Sequence, residues 1–268
     1  MSIEPLVLGI VQGLTEFLPV SSSGHLALLQ NIWGITDNNL TFDLLLHFST
    51  MIATLCFFWR DIFSLACEWI SGFLSDAGRQ TQGWRFGWAV IVGTIATAFI
   101  GFPLKPVVER WMGEPLLIGV SLLMTSFLLF YASRLPRSSS ELSLRSGLII
   151  GIAQGFAVIP GISRSGSTIV TGLKRGLSPE EAFRFSFLLS LPAILGATIL
   201  QLLDVSESGF SPANTLPDFW YGGVVAAFIT GYMALVWLRR MVTLGRWRIF
   251  ALYCLIPAGV SITFHFWR

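Results

Sequence analysis

The sequence predicts an all-α polytopic membrane protein: six transmembrane helices plus two re-entrant helical hairpins, arranged as an inverted-topology repeat. Three observations carry this prediction. Hydrophobic residues make up 53% of the 268 and charged residues only 12%, a balance typical of membrane-embedded rather than water-soluble chains. Six stretches approach the roughly 20 apolar residues that a bilayer core requires. Two further stretches are apolar on both sides of a polar break that contains Pro or Gly, and these two resemble each other.

The six spans are 42–59, 86–104, 116–132, 185–203, 219–238 and 249–267. The fourth is announced by Ser178, Pro179, Glu180 and Glu181, which read as N-cap, N1 proline and capping-box glutamate. Trp33, Trp59, Trp111, Trp220 and Trp267 fall at the ends of apolar stretches, where an aromatic belt meets the headgroups. Cys56, Cys67 and Cys254 are odd in number and set among apolar neighbours, so they read as small core residues rather than a disulfide framework or a zinc site. Glu4 and Pro5 stand where a basic leader region would be, and no removable signal peptide is expected.

The first interrupted stretch has apolar halves at 3–18 and 26–35, the second at 146–159 and 169–173. Each half is too short to cross a bilayer with ease. Non-helical backbone survives at membrane depth only where protein buries it or water reaches it, so both are expected to be re-entrant. A shift of 142 residues lays "GIVQGLTEFLPVSSSG" from Gly9 on "GIAQGFAVIPGISRSG" from Gly151, with identities that include Gln12/Gln154, Ser21/Ser163, Ser23/Ser165 and Gly24/Gly166. The chain therefore reads as a single integral membrane domain, 1–268, whose repeats cover about 1–133 and 143–268.

Basic residues orient it. With both termini outside, 13 of the 17 Lys and Arg fall in inside loops, while Asp204, Glu207 and Asp218 lie outside, as the positive-inside rule prefers. The first hairpin then enters from outside and the second from inside, and their tips meet near the middle of the membrane.

Those tips would bring together Gln12, Glu16, Ser21, Ser22, Ser23 and His25 with Ser163, Arg164, Ser165, Ser167 and Thr168. A guanidinium, hydroxyls and helix-start amides compose a phosphate cradle. Arg164 has a second reading, as the buried ionic partner of Glu16 that locks the hairpins together. Glu16 could equally be a general base or a cation ligand, with Gln12 one turn earlier on the same face. Ser22 and His25, three residues apart on a helix, would share a face and suit an activated nucleophile, although a lone histidine more commonly bonds a carbonyl and the serines also suit helix caps. Asp43 and His47 form an i, i+4 pair facing the bundle or the site. A net charge of +2 gives no reason to expect a nucleic-acid partner, and no oligomeric state is indicated.

"QGLTEFLPVSSSGH" and "PGISRSGST" resemble the two signature motifs of the bacterial undecaprenyl-diphosphate phosphatase family of the bacitracin-resistance type, and "FDLLLHFSTMIATLCFFWRDI" and "RGLSPEEAFRFSFLLSLPAILGA" resemble its flanking segments. The resemblance implies hydrolysis of undecaprenyl diphosphate to its monophosphate during recycling of the cell-wall lipid carrier in the bacterial cytoplasmic membrane. By position it makes Glu16 the essential acid, Ser22 the nucleophile, His25 the motif histidine and Arg164 the phosphate-binding arginine, with Ser21, Ser163, Ser165 and Thr168 as supporting hydroxyls. It also implies a divalent cation, magnesium or calcium, for which Glu16 and Gln12 are the candidate ligands. Gln12 stands where many members have Glu, and Ser49 where Gly is expected. The alternatives are direct attack by water or metal hydroxide, a polyprenyl-phosphate transporter or flippase of the same architecture, and, least suited to Arg164, an intramembrane serine protease.

Overall fold

The computed structural model describes residues 3–33, 40–207 and 216–267. They are helical throughout, with no strand among the described residues: α1 (Glu4–Phe17), α2 (Ser22–Trp33), α3 (Leu40–Phe57), α4 (Trp59–Leu74), α5 (Asp76–Arg79), α6 (Gln82–Met112), α7 (Pro115–Ala132), α8 (Leu144–Phe156), α9 (Arg164–Lys174), α10 (Pro179–Glu207), α11 (Trp220–Leu244) and α12 (Trp247–Trp267). Among them, α6, α7, α10, α11 and α12 are each long and apolar enough to cross a membrane. A sixth span is counted only when α3 and α4, bent by 72° at their junction, are taken together. The chain is thus an all-helical, multi-pass membrane protein. The end of the second apolar half at Ile35, part of the expected outer loop (208–215) and Arg268 lie outside the described residues.

The spans depart from expectation in length and in one fold-back. The stretch expected to cross at 42–59 stops at Phe57. Phe58 leaves the helix at φ −99°, ψ 14° because its ring is buried among Phe57, Phe183 and Phe187. Beyond it α4 was not anticipated, since Asp61 and Glu68 interrupt its apolar run. One face of α4 packs on the start of α6, with Gly72 under the Trp84 ring and Gly87 under that of Trp69. Ser178 does cap α10, its Oγ accepting from the Glu181 amide at 3.2 Å. The acidic side chains, however, turn away from the helix start, with Glu180 pairing with Arg239. Cys254 is buried as expected, whereas Cys56 and Cys67 are exposed and are not core residues.

The bundle buries hydroxyls within an apolar core and is apolar outside. Thr50 and Thr54 on α3, Ser121, Thr125 and Ser126 on α7 and Ser186 and Ser190 on α10 are buried, while Phe99, Phe102, Phe127, Met233 and Ile256 face outward. Lipid provides no hydrophobic drive to pull helices together, so close backbone approach and interhelical hydrogen bonds do so. Ser126 Oγ donates to the Ala251 carbonyl of α12 at 2.7 Å and Ser261 Oγ to the Pro115 carbonyl of α7 at 2.7 Å. Ser49 Oγ, at the position where Gly was expected, donates to the Val224 carbonyl of α11 at 2.7 Å.

Each interrupted stretch lies against a long helix through glycines. A Cβ on Gly9 of α1 would sit 2.1 Å from the Gly223 carbonyl oxygen of α11, and one on Gly151 of α8 would sit 2.2 Å from that of Gly93 on α6. One turn further, a Cβ on Gly13 would meet Thr230 Oγ1 at 2.0 Å and one on Gly155 would meet Ile100 Cβ at 2.6 Å. These positions admit no side chain without parting the helices. Gly9→Val and Gly151→Val are each expected to destabilise by about 2 kcal/mol, read as a lower thermal midpoint in detergent. Gly259→Ala, where an added Cβ meets nothing within 4 Å, should leave the midpoint unchanged.

Candidate active site

A proline follows each interrupted helix, directly after the cap in the first and four residues on in the second. Leu18 precedes Pro19 and takes an extended conformation, φ −62° and ψ 143°, because the proline ring disfavours helical backbone in the residue before it. The helix α8 ends at Phe156, four residues ahead of Pro160. The chain restarts at a serine cap in each case: Ser21 Oγ accepts from the Gly24 amide at 3.3 Å and Ser163 Oγ from the Gly166 amide at 3.1 Å. Positive φ is used once per break, at Ser21 (69°) in the first and Gly161 (92°) in the second. A serine in this region is strained by about 1–3 kcal/mol and persists only where its surroundings hold it.

The two breaks lie against each other. Ser21 Oγ also accepts from the Gly161 amide at 3.1 Å, and a Cβ on Gly24 would reach Gly161 Cα at 3.0 Å. Ser165 Oγ donates to the Leu18 carbonyl at 3.4 Å. From α7, Thr125 Oγ1 donates to the Gly161 carbonyl at 2.8 Å and accepts from the Ser163 amide at 3.0 Å. Backbone that lost its helical partners is satisfied here by hydroxyls from the opposite break and from α7.

At this junction Glu16 is buried and fully engaged. Its Oε1 pairs with Arg164 Nη2. Its Oε2 accepts from Ser22 Oγ at 2.6 Å and from Gln12 Nε2 at 3.1 Å, with His47 Nε2 at 3.7 Å. Arg164, only 17% exposed in its side chain, keeps its other fork nitrogen, Nη1, buried without a partner among the described residues. The ion pair between the breaks anticipated from the sequence is therefore present, and the arginine has a free donor beside it.

These residues border a cavity of about 220 Å³. Its lining combines polar residues, among them Glu16, Ser21, Ser22, Ser23, Ser163 and Arg164, with apolar ones, Ala157, Val158 and Ile162 at the second break and Ala193, Ile194 and Ala197 on α10. Of the tip residues singled out in the sequence, Glu16, Ser21, Ser22, Ser23, Ser163 and Arg164 reach the cavity, and Gln12 touches Glu16 without lining it. His25, Ser165 and Thr168 are not on its wall. Both His25 nitrogens are occupied, Nδ1 donating to the Ser21 carbonyl at 2.8 Å and Nε2 facing the Tyr253 hydroxyl at 3.1 Å, so the expected Ser22–His25 pair does not form. Glu16 holds the Ser22 hydroxyl instead. Thr168 Oγ1 donates to the Arg164 carbonyl at 2.8 Å and contacts Ser186 Oγ, which ties α9 to α10.

His47, read from the sequence as facing the bundle or the site, also lines the cavity, as do Thr15, Gln154, Thr97 and Ser190, which were missed as site residues. His47 Nδ1 donates to the Asp43 carbonyl at 2.8 Å, which points Nε2 at Glu16. The anticipated Asp43–His47 pairing is thus through backbone, and the Asp43 carboxylate accepts from Gln30 Nε2 at 3.0 Å. Gln154, the repeat counterpart of Gln12, donates to Thr97 Oγ1 at 3.2 Å; the matched glutamines were the available signal for it. Among the described residues no three His, Cys, Asp or Glu cluster as metal ligands.

Comparison with known proteins follows this geometry. A family profile described as "Bacitracin resistance protein BacA" matches residues 5–260. Proteins named undecaprenyl-diphosphatase are similar over nearly their whole length. One from Methanosphaera stadtmanae is 40% identical, covering 97% of this chain and 96% of its own. Relatives from Acaryochloris marina and Desulfosudis oleivorans are 41% and 42% identical, each covering 97% of both chains.

The Glu16–Arg164 pair makes a stability prediction. Removing one partner of a buried pair leaves an uncompensated charge and costs about 3–5 kcal/mol, whereas removing both is far milder. Arg164→Met is expected to lower the thermal midpoint in detergent sharply, and the double variant Glu16→Gln/Arg164→Met to recover most of the loss. A double variant no more stable than Arg164→Met would refute the pairing.

Proposed function

This chain belongs to the BacA bacitracin-resistance protein family, and from that premise we propose that it is an undecaprenyl-diphosphatase, hydrolysing undecaprenyl diphosphate to undecaprenyl phosphate and inorganic phosphate. The names of its relatives favour hydrolysis over polyprenyl-phosphate transport. The structural observation that carries the reading is the buried Nη1 of Arg164, unpartnered among the described residues; Arg164 lines the same cavity as Glu16 and Ser22. A buried guanidinium with a free donor fits a phosphoryl oxygen.

The diphosphate head lies against the polar residues and the prenyl tail runs along Ala157, Val158, Ala193 and Ala197 toward lipid. Ser22 Oγ, whose proton already points at Glu16 Oε2, attacks the terminal phosphorus. Glu16 takes that proton, the bond from phosphorus to the bridging oxygen breaks, and undecaprenyl phosphate departs. Water then attacks the phosphoserine and restores Ser22. Arg164 holds the transferring group, and the catalysis is chiefly positioning and charge stabilisation. His47, held beside the same Glu16 oxygen, positions that carboxylate. Ser21 and Ser163 keep the breaks shaped, and the Ser165 and Thr168 hydroxyls serve the second break rather than the substrate.

Glu16 and Gln12 would hold a divalent cation only by exchanging their present bonds, since both carboxylate oxygens are engaged and Gln12 turns toward them its Nε2, not its Oε1, which is unpartnered among the described residues. Such an ion, magnesium or calcium, neutralises phosphate charge when bound. The matched serine caps and the paired glycine contacts of α1 and α8 support reading the interrupted helices as re-entrant hairpins of an inverted repeat, covering about 1–133 and 143–268 of one membrane domain. Both termini then face outward from the bacterial cytoplasmic membrane, where the lipid substrate is met.

Purified protein should release phosphate from undecaprenyl diphosphate in detergent micelles, where no second compartment exists and a transporter would give none. Glu16→Ala, Ser22→Ala and Arg164→Ala, each inserted and folded, are expected to lose at least about 10²-fold in turnover. Undiminished rates in Glu16→Ala and Arg164→Ala would overturn the site. Rapid acid quenching should trap phosphoserine at Ser22; its absence, with substantial turnover by Ser22→Ala, would replace the covalent route by direct attack of water.

A further inference from the structure

A second cavity, of about 370 Å³, opens where α3 bends into α4 and is closed by the start of α10 and the end of α11. It shares no lining residue with the first. His47 lies ten residues before the end of α3, so the second cavity is about 15 Å further along that helix, close to half a bilayer core away. Three guanidiniums surround it, Arg60, Arg184 and Arg239, against two carboxylates, Asp61 and Glu180. Arg184 pairs with Asp61 and Arg239 with Glu180. Arg60 stacks over the Trp59 ring at 5.3 Å and pairs with no carboxylate among the described residues. The Arg239–Glu180 pair is 54% exposed on each side, so it contributes little and opposes a new anion weakly.

The second observation is independent of charge. With its other face on α6, α4 presents Trp59, Phe63, Ile70 and Phe73 outward, each more than half exposed, at spacings of four, seven and three residues that trace one stripe. A helix bent by 72° from its neighbour, with an apolar stripe beside arginines, has the composition of a helix lying in the headgroup layer with its apolar face among acyl chains. The stripe begins at Trp59, on the rim of the cavity.

We infer that this cavity binds the headgroup phosphate of an anionic phospholipid, with Arg60 and Arg239 on the phosphate and the α4 stripe against its acyl chains. The ligand chemistry is a phosphate diester, and the adjoining apolar stripe commits it to lipid rather than to a soluble phosphate. The inference does not depend on the hydrolytic reading, because none of these residues borders the first cavity.

The test is lipid retention by the purified full chain, measured by native mass spectrometry after exchange into mixed phosphatidylglycerol and phosphatidylcholine. About 1 kcal/mol per arginine near an anionic headgroup corresponds to roughly five-fold. Wild type should therefore retain phosphatidylglycerol over phosphatidylcholine by at least about that factor. Arg60→Gln, which strips no carboxylate of its partner, should lose most of the preference, and Arg60→Gln/Arg239→Gln all of it, with phosphate release from undecaprenyl diphosphate and the thermal midpoint in phosphatidylcholine retained. Glycerophosphoglycerol, the same phosphate diester without acyl chains, should not displace the lipid. Equal retention of both lipids by wild type, an unchanged preference in the double variant, or displacement by glycerophosphoglycerol would each overturn the proposal.

Discussion

The contact between Glu16 and Arg164 joins two backbone breaks that neither half of the chain could sustain alone. A carboxylate and a guanidinium, each stranded in a low-dielectric interior, would be costly, and together they are tolerable only with further hydrogen bonds to complete them. Ser22 and Gln12 complete the carboxylate. One nitrogen of the guanidinium is left over, and that remainder gives the site an appetite for an anion. The interaction that closes the fold and the proposed phosphate contact therefore reside in the same side chain.

Everything around the pair serves to keep irregular backbone alive at depth. Two prolines follow the incoming helices, two serines start the outgoing ones, and hydroxyls from the facing break and from Thr125 occupy the exposed amides and carbonyls. Glycines at 9, 13, 151 and 155 bring these short helices within backbone contact of α11 and α6, so the breaks rest on long, regular supports. Precision at the cavity thus originates in helices that contribute few of its side chains.

Much of this was legible in the sequence because the membrane leaves few options. Runs of apolar residues must be helices, and a polar interruption with Pro or Gly must be buried; the positions of both breaks followed, as did the meeting of Glu16 with Arg164. What the sequence could not reveal was set by tertiary packing. Phe58 reads as one more residue of a long span, and only its burial against Phe183 and Phe187 shows why the chain turns there. Periodicity put Ser22 and His25 on a common face, yet Tyr253, 228 residues away in sequence, faces the imidazole across the α2–α12 contact. His47 looked even-handed between roles because nothing near it in the sequence announces that Glu16 lies across the cavity.

The cavity is lined both by hydroxyls and charge and by alanine, valine and isoleucine. An amphiphile seated among such residues has its orientation decided before any bond changes. Once cleavage releases the terminal phosphate, the two products no longer share a preferred neighbour: inorganic phosphate is drawn toward water, while undecaprenyl phosphate keeps a tail that hydrocarbon holds. Departure in different directions discourages recombination, so the mixed lining acts as a sorter as well as a seat.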